Sequence, residues 1–391
     1  MQPLDGITVV SLEQAIAAPY ASRQLADLGA RVIKIERPET GDFARHYDSR
    51  AAGMSSHFVW VNRNKESLTL DLKDSRALAV LERLLATADV FIQNLAPGAA
   101  ARMGLGAAEL HARNPKLIVC DISGYGQGGP YEDHKAYDLM IQSESGLLSI
   151  TGTEDEMAKV GVSFSDIAGG MYAYTSILAA LLERARTGKG THLDVSMLEA
   201  TVEWMGFPLY YAFDGSEPPP RAGAAHATIY PYGPFVSRDD RTIMMAVQNE
   251  REWRGFCERF LGQPELADDP DYAGNAQRNA HRAALGKIIG DRFASLSHDE
   301  ATALLSKVPV AHASVRTMAD VWAHPQLAAR GRWHEVSTPA GPIPALTPPG
   351  IVSAEPRMEA VPALGEHTRE VLTELGLSTT EIDAMIEDGA A

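Results

Sequence analysis

Short apolar runs alternate with amphipathic stretches along the first 200 residues of the chain. Four runs have the length and composition of buried strands: ITVVSL (7–12), RVIKIE (31–36), DVFIQN (89–94) and LIVCDIS (117–123). Segments between them, such as DSRALAVLERLLATA, carry apolar residues at helical spacing. This alternation predicts parallel β/α units in the first half of the chain.

Capping residues mark the ends of several predicted helices. The helix in YASRQLADLGA is expected to end at Gly29, and Asp74 stands where the next helix needs an N-cap. A glycine-rich loop (123–138) follows the fourth predicted strand and precedes the helical stretch LMIQSESGLLSI. A long helix over 166–186 then leads to the strand THLDVS, whose Ser196 is placed to cap the helix behind it.

Two proline-bearing segments divide the rest of the chain. We expect a large domain at 1–214, a linker at 215–226, a small α+β domain at 227–325 and a return linker at 326–362. The C-terminal segment 333–391, which closes on two short helices, is expected to complete the large domain.

Composition limits the partners that the chain can have. With 391 residues, of which 45% are hydrophobic, it can build more than one core. Its net charge of −16 and its pI near 5.2 argue against a nucleic-acid or anionic-membrane surface, because phosphate contacts need clustered lysines and arginines. Any anionic ligand must therefore meet a local basic site.

Cysteine and histidine usage argues against a disulfide framework and a metal centre. The only cysteines, Cys120 and Cys257, lie in a predicted strand and a predicted helix, which fits a reducing, cytoplasmic location. The twelve histidines show no ligand spacing, so no metal is expected. The acids Asp5 and Glu13 argue against a signal peptide, and the uncharged run 167–182 is too short for a membrane span.

The loop sequence GYGQGG (124–129) has the G-x-G-x-x-G spacing of dinucleotide sites and follows a strand. In such sites the last glycine opens a helix, whereas Gly129 precedes PYEDHKAY, which does not begin one. The loop also follows the fourth predicted strand rather than the first. A substrate-covering loop or a turn is the better interpretation, and a nicotinamide site is the alternative.

A single acid, Asp166, stands at the start of the uncharged run IAGGMYAYTSILAALL. As a helix N-cap it would contribute ~1 kcal/mol. As a nucleophile it would be kept ionised by the helix dipole, while the small residues AGG behind it would let a substrate approach closely. The residues alone leave both interpretations open.

Five stretches, taken in order, resemble the family III CoA-transferases, a group that also contains formyl-CoA transferase and α-methylacyl-CoA racemase. They span roughly residues 4 to 200, and their order is as informative as their content. The stretches are LDGITVVSLEQAIAAPYASRQLADLGARVIKIERPETGDFAR, NRNKESLTLDLK, DVFIQNLAPGAAARMGL, ISGYGQGGPY and SDIAGGMYAYTSILAALLERARTGKG.

The resemblance implies a fold, an assembly and a reaction. The fold would be a large Rossmann-like parallel-sheet domain with a smaller α+β domain, in an interlocked, ring-shaped homodimer. Asp166 matches the family's nucleophile, which attacks an acyl-CoA thioester to give a mixed anhydride and then an aspartyl-CoA thioester. Coenzyme A would enter as substrate and leave as product thioester, with no tightly bound cofactor and a small carboxylic acid as the second partner.

The resemblance also assigns ligand contacts by matching position. Near the substrate it implies Ile16, Asp138 and His226. Along the CoA molecule it implies Ala15, Arg37, Leu70, Lys73, Asn94, Arg102, Lys135 and Tyr137.

Two features of the sequence favour one reaction over the others that the family catalyses. The racemase branch carries a histidine where this chain has Tyr137, and a phenol with a pKa of ~10 is a poor base at neutral pH, which favours transfer over epimerisation. Where the oxalate branch has a run of glycines, this chain has AAHATIYPYG. That stretch resembles enzymes for C4 and C5 dicarboxylates such as mesaconate, itaconate, citramalate and succinate. The prediction is transfer to such an acid, and a 2-methylacyl-CoA racemase is the alternative.

Overall fold

A six-stranded parallel sheet is the largest element of the computed structural model, which describes residues 1–350 and 355–391. Its strand order is β3-β2-β1-β4-β5-β6, so the direction of winding reverses between β1 and β4. The strands are β1 (Thr8–Leu12), β2 (Arg31–Glu36), β3 (Lys65–Thr69), β4 (Val90–Gln93), β5 (Ile118–Ser123) and β6 (His192–Ser196).

Helices follow the strands through the first half of the chain. They are α1 (Ala17–Asp27), α2 (Ser56–Asn62), α3 (Ser75–Thr87), α4 (Ala99–Arg102), α5 (Ala107–Arg113), α6 (Asp138–Glu144), α7 (Leu147–Ile150), α8 (Phe164–Thr187), α9 (Met197–Trp204) and α10 (Gly206–Tyr211), with a 3₁₀ turn at Phe43–His46. Among the described residues, every helix is too short or too polar to span a lipid bilayer.

Alternate residues of the central strands feed two separate cores, one on each face of the sheet. Val10 and Ile33 pack with α3, α5 and two C-terminal helices, whereas Val9 and Val32 pack with α1 and α8. Both faces are therefore covered by helices, as a doubly wound parallel sheet requires. The predicted α/β architecture is confirmed.

A smaller antiparallel sheet lies in the middle of the chain. Its order is β7-β8-β9, formed by β7 (Tyr232–Val236), β8 (Thr242–Ala246) and β9 (Ala311–Ser314). Around it are α11 (Glu250–Phe256), α12 (Asn275–Ala280), α13 (Arg282–Ala294), α14 (His298–Leu305) and α15 (Met318–Trp322), with a π turn at Cys257–Leu261 and 3₁₀ turns at Phe213–Gly215 and Pro264–Ala267. An aromatic and aliphatic core of its own joins β7, β8, α11, α13 and α14 with the turns at Cys257–Leu261 and Pro264–Ala267.

The C-terminal part supplies an antiparallel strand pair and three helices. They are α16 (Pro325–Ala329), β10 (Trp333–Val336), β11 (Ile343–Leu346), α17 (Thr368–Glu374) and α18 (Thr379–Glu387). Contacts divide the chain into two compact units: 1–146, 160–206 and 326–391 form the first, and 147–159 with 207–325 form the second. The domain limits inferred from the sequence stay a prediction.

The strand pattern read from the sequence missed β3. Its sequence KESLT is polar, and β3 lies at the edge of the sheet, yet Lys65 is buried because an internal ion-pair network satisfies its ammonium group. The glycine loop therefore follows the fifth strand, not the fourth. The predicted caps Asp74 and Ser196 are confirmed, since each side chain accepts a hydrogen bond from the first turn of its helix.

Candidate active site

Asp166 lies in the first turn of α8, but it is not the helix cap. The helix begins at Phe164 and its N-cap is Ser163, so Asp166 is the third helical residue and the cap interpretation is wrong. Its side chain is partly buried. Burial, with the nearby charge of Asp138 as a second cause, raises the pKa of Asp166 to about 7.

Asp138, at the start of α6, performs the capping that Ser163 does not. Its Oδ1 accepts hydrogen bonds from the backbone N–H groups of Ser165 at 2.7 Å and of Asp166 at 3.2 Å. These are two of the N–H groups that have no partner inside a helix. The structure therefore joins two of the predicted residues, Asp138 and Asp166, directly.

The glycines that follow Asp166 serve helix packing. A Cβ at Gly170 would lie 2.7 Å from the carbonyl oxygen of Ala17, and one at Gly169 would lie 2.9 Å from Cγ of Met197. Both glycines are buried, and their missing side chains let α8 approach α1 and α9 closely. The expectation that they leave room for a substrate is wrong.

The glycine loop after β5 is tied down by side chains of the protein. The N–H of Gly126 donates to Ser123 Oγ, that of Gln127 to Asp194 Oδ2 and that of Gly128 to a carboxylate oxygen of Glu132, at 2.7–2.8 Å. Gly126, Gly128 and Gly129 adopt positive φ angles, which explains the glycines. Its last glycine opens no helix, in agreement with the argument against a nicotinamide site.

A cavity of about 730 Å³ opens where β1, β2, β3 and β4 end. This is the carboxyl edge of the sheet, beside the reversal between β1 and β4, where doubly wound folds bind their ligands. Predicted residues Arg37, Leu70 and Lys73 line it. Within the described ranges, neither Arg37 nor Lys73 forms a side-chain ion pair, so both exposed cations are available to an anion.

Other predicted residues near this edge shape the backbone turn before α1. Asn94 accepts a hydrogen bond from the N–H of Gln14 and donates one to its carbonyl, at 2.9 and 2.8 Å. Ala15 next to it adopts a left-handed conformation with φ 63°. Ile16 is only 2% exposed, so its side chain packs in the interior. Asn94 therefore holds the turn that precedes α1.

Three further predicted contacts do not line the cavity. Arg102 is exposed at the end of α4, with Nη2 3.5 Å from the carbonyl oxygen of Pro97. Lys135 is exposed in the glycine loop segment, and Tyr137, next to Asp138, is 64% exposed. Their assigned roles in CoA binding stay predictions.

His226 belongs to the second unit, and its ring is held by local contacts. Nδ1 accepts hydrogen bonds from the N–H groups of Thr228 and Ile229 at 3.2 and 3.1 Å, and the ring stacks on Tyr232 at 5.2 Å. Because Nδ1 is an acceptor, the proton of the neutral ring is on Nε2. His226 can thus offer an N–H donor.

A buried ion-pair network under the cavity was not found from the sequence. Glu13 Oε1 lies 2.7 Å from Lys65 Nζ and 3.3 Å from Lys34 Nζ, and Lys34 also contacts Asp42 at 2.8 Å. Asp42 in turn accepts from the N–H of Ala15. The network therefore holds the same turn that Asn94 holds. A lysine in the middle of the strand RVIKIE was the one sequence signal for it.

The charges in this network are mutually stabilised. Burial alone would raise the pKa of Glu13, but Lys65 and Lys34 outweigh it and lower that pKa to about 2. For Lys34, the charges of Asp42 and Glu13 overcome burial and raise its pKa above the usual range. Burial lowers the pKa of Lys65 to about 7, yet its Nζ has three acceptors, as an ammonium group needs: Glu13, the Pro19 carbonyl and Asn62.

Comparisons with known proteins cover nearly the whole chain. A family model for CoA-transferase family III matches residues 4–368. The succinyl-CoA:glutarate CoA-transferase of Mus musculus is 34% identical over 96% of this chain and 87% of its own. The succinate–glutarate CoA-transferase of Agrobacterium fabrum is 36% identical over 95% and 96%. A crystal structure of a CAIB/BAIF family protein from Brucella suis superposes with a TM-score of 0.84 at 37% identity, over 96% of this chain and 99% of that one.

Proposed function

This chain belongs to CoA-transferase family III, and we propose that it moves coenzyme A from an acyl-CoA to a small dicarboxylic acid through a covalent intermediate on Asp166. The observation that carries the proposal is the environment of Asp166: a partly buried carboxyl group at a helix start, with a pKa raised to about 7. A carboxylate of higher pKa is a stronger nucleophile, and it is still substantially ionised at neutral pH.

The reaction conserves the thioester in four exchanges at carbonyl carbons. Asp166 attacks the carbonyl carbon of the donor thioester, the C–S bond breaks, and CoA thiolate leaves as the mixed anhydride forms. The thiolate attacks the aspartyl carbonyl, releasing the donor acid and leaving an aspartyl-CoA thioester. The acceptor carboxylate attacks that thioester, which expels the thiolate and forms a second anhydride. Attack of the thiolate on the acceptor carbonyl then frees Asp166.

We place the nucleotide part of CoA in the cavity at the carboxyl edge of the sheet. Five acids line it. Glu13, Glu36 and Asp42 are each paired with a buried or partly buried cation, and Glu39 and Asp71 are the other two. Arg37 and Lys73 also line the cavity, and among the described residues neither forms an ion pair with a protein carboxylate. Phosphate oxygens are suitable partners for both.

Removing either cation should weaken CoA binding and leave the chemistry intact. In Arg37→Ala and Lys73→Ala, KM for succinyl-CoA is expected to rise about 10-fold each, because a hydrogen bond to a charged group is lost. We expect kcat to change little, since these contacts exist in ground and transition states alike. Steady-state kinetics check this, with Arg369→Ala, whose side chain is exposed on α17, as control. An unchanged KM in both variants would place the nucleotide elsewhere.

For the acid partner we propose that His226 donates its Nε2–H to the remote carboxylate. His226→Phe is then expected to raise KM for glutarate about 10-fold, while KM for valerate, which lacks the second carboxylate, stays constant. Parallel kinetics with the two acids check this. Equal changes for both acids would assign His226 a structural role, which its contacts with Thr228 and Tyr232 would explain.

Trapping the intermediate tests the proposed function as a whole. The protein is incubated with succinyl-CoA, treated with hydroxylamine or borohydride, digested and analysed by mass spectrometry. Modification of Asp166 is the expected result, and modification of another residue alone would overturn the mechanism. Exchange of the α-proton of a 2-methylacyl-CoA with deuterated water, without acid exchange, would instead establish the racemase alternative.

A further inference from the structure

We propose that Asp138 is a positioning residue for the nucleophile and that Gln142 fixes its orientation. The inference rests on the proposed role of Asp166 and adds a link between α6 and the first turn of α8. It reassigns Asp138, which the family resemblance had placed in contact with the substrate.

The first half of the link is the cap that Asp138 supplies. Its Oδ1 accepts from the N–H groups of the second and third residues of α8, Ser165 and Asp166. An N-cap side chain of the helix itself normally binds these groups, but Ser163 makes no such bond. The backbone of Asp166 is therefore attached to the carboxylate of another helix.

The second half of the link is Gln142, one turn further along α6. Its Nε2 donates to Asp138 Oδ2 at 2.6 Å, and its Oε1 accepts from the N–H of Val160 at 3.0 Å. The side chain is completely buried, and these two bonds leave its amide a single orientation. Both oxygens of Asp138 are thus held, so its carboxylate cannot rotate away from α8.

Three N–H groups donate hydrogen bonds to the two carboxylate oxygens of Asp138. Burial first, and the nearby charge of Asp138 second, raise the pKa of Asp166 to about 7. The hydroxyl groups of Tyr47 and Tyr137 also lie in this environment, since the pKa of Tyr47 is raised to about 12 by partial burial, Asp42, Asp166 and Tyr137. The link consequently fixes the position of Asp166 and keeps Asp138, the second cause of its raised pKa, beside it.

Two variants separate positioning from mere stability. In Asp138→Asn the oxygen still caps α8, but the new NH₂ group faces the NH₂ group of Gln142, so we expect kcat to fall about 10- to 100-fold. The double variant Asp138→Asn, Gln142→Glu restores the chain of bonds, because the new carboxylate at position 142 accepts from both the new NH₂ group at position 138 and the Val160 N–H. In the double variant we expect log kcat to recover at least half of the decrease seen in Asp138→Asn.

The pH profile of kcat gives the second readout. Activity should rise with pH through about 7 in the native protein, because only ionised Asp166 attacks. Moving the negative charge from position 138 to 142 should lower that midpoint by about one pH unit in the double variant. A double variant no better than Asp138→Asn, or one with an unshifted midpoint, would overturn the inference. If Asp138→Asn does not fold, the inference is still tested by comparing the kcat and the pH midpoint of the double variant with those of the native protein.

Trapping keeps the two proposals distinguishable. A succinyl-CoA adduct on Asp166 in the native protein, together with an unchanged midpoint in the double variant, would remove the positioning role alone. An adduct found only on another residue would remove the proposed function itself.

Discussion

The Asp166→Asn variant is expected to lose at least about 10³-fold in kcat for CoA transfer from succinyl-CoA to glutarate. A carboxamide matches the carboxylate in size but cannot form the mixed anhydride, so the first covalent step has no substitute. Steady-state assays of thioester exchange measure the loss. Thermal unfolding should be nearly unchanged, because the cap of α8 comes from Asp138 and not from this side chain.

Glu183→Gln on the same helix is the matched control. Glu183 is exposed near the end of α8, far along the helix from its first turn, and the same change of charge there should leave kcat unaltered. An Asp166→Asn protein that kept more than a tenth of the native kcat would show that Asp166 is not the nucleophile, whatever its pKa.

Glu13→Gln is expected to lower the free energy of unfolding by about 3–5 kcal/mol. The side chain is buried between two lysines, and neutralising it leaves their like charges in the interior with Asp42 as the remaining carboxylate partner of Lys34. Chemical denaturation at pH 7 measures the change. Glu82→Gln, which breaks a half-exposed ion pair with Arg113, should have almost no effect.

The difference in the free energy of unfolding between the native protein and Glu13→Gln should become smaller as the pH falls. The folded-state pKa of Glu13, about 2, lies below its ordinary value of 4.5. The folded protein therefore binds fewer protons, and the stabilisation is complete above about pH 4.5 and is lost as pH falls towards 2. A difference that grew on acidification, or a loss below about 1 kcal/mol at pH 7, would contradict the proposed charge state.

Periodicity located the buried strands and long helices because those elements bury apolar side chains at regular spacing. It failed at β3, where Lys65 is buried through partners at Glu13 and Pro19 that lie elsewhere in the chain. It also placed Asp166 at the helix cap, because a cap supplied by Asp138 from another helix leaves no local pattern.

Part of the cavity lining could be named from the sequence, because a single residue at one position can be matched to a family pattern. Arg37 and Lys73, named through the resemblance, do line the cavity. Gln142 was not predictable, since a buried amide becomes significant only through its geometry with Asp138 and Val160. Sequence order likewise could not show that Gly170 meets the backbone of Ala17 and leaves no space for a ligand.

The close approach at Gly169 and Gly170 has a practical meaning for directed evolution of acid specificity. These two positions follow Asp166 and would be natural choices for randomisation, but a new side chain there displaces α1 or α9 before it meets any substrate. Clones altered at either position would mostly be lost as misfolded protein. Library diversity is better placed at Tyr47 and Tyr137, which lie near Asp166 and remain exposed.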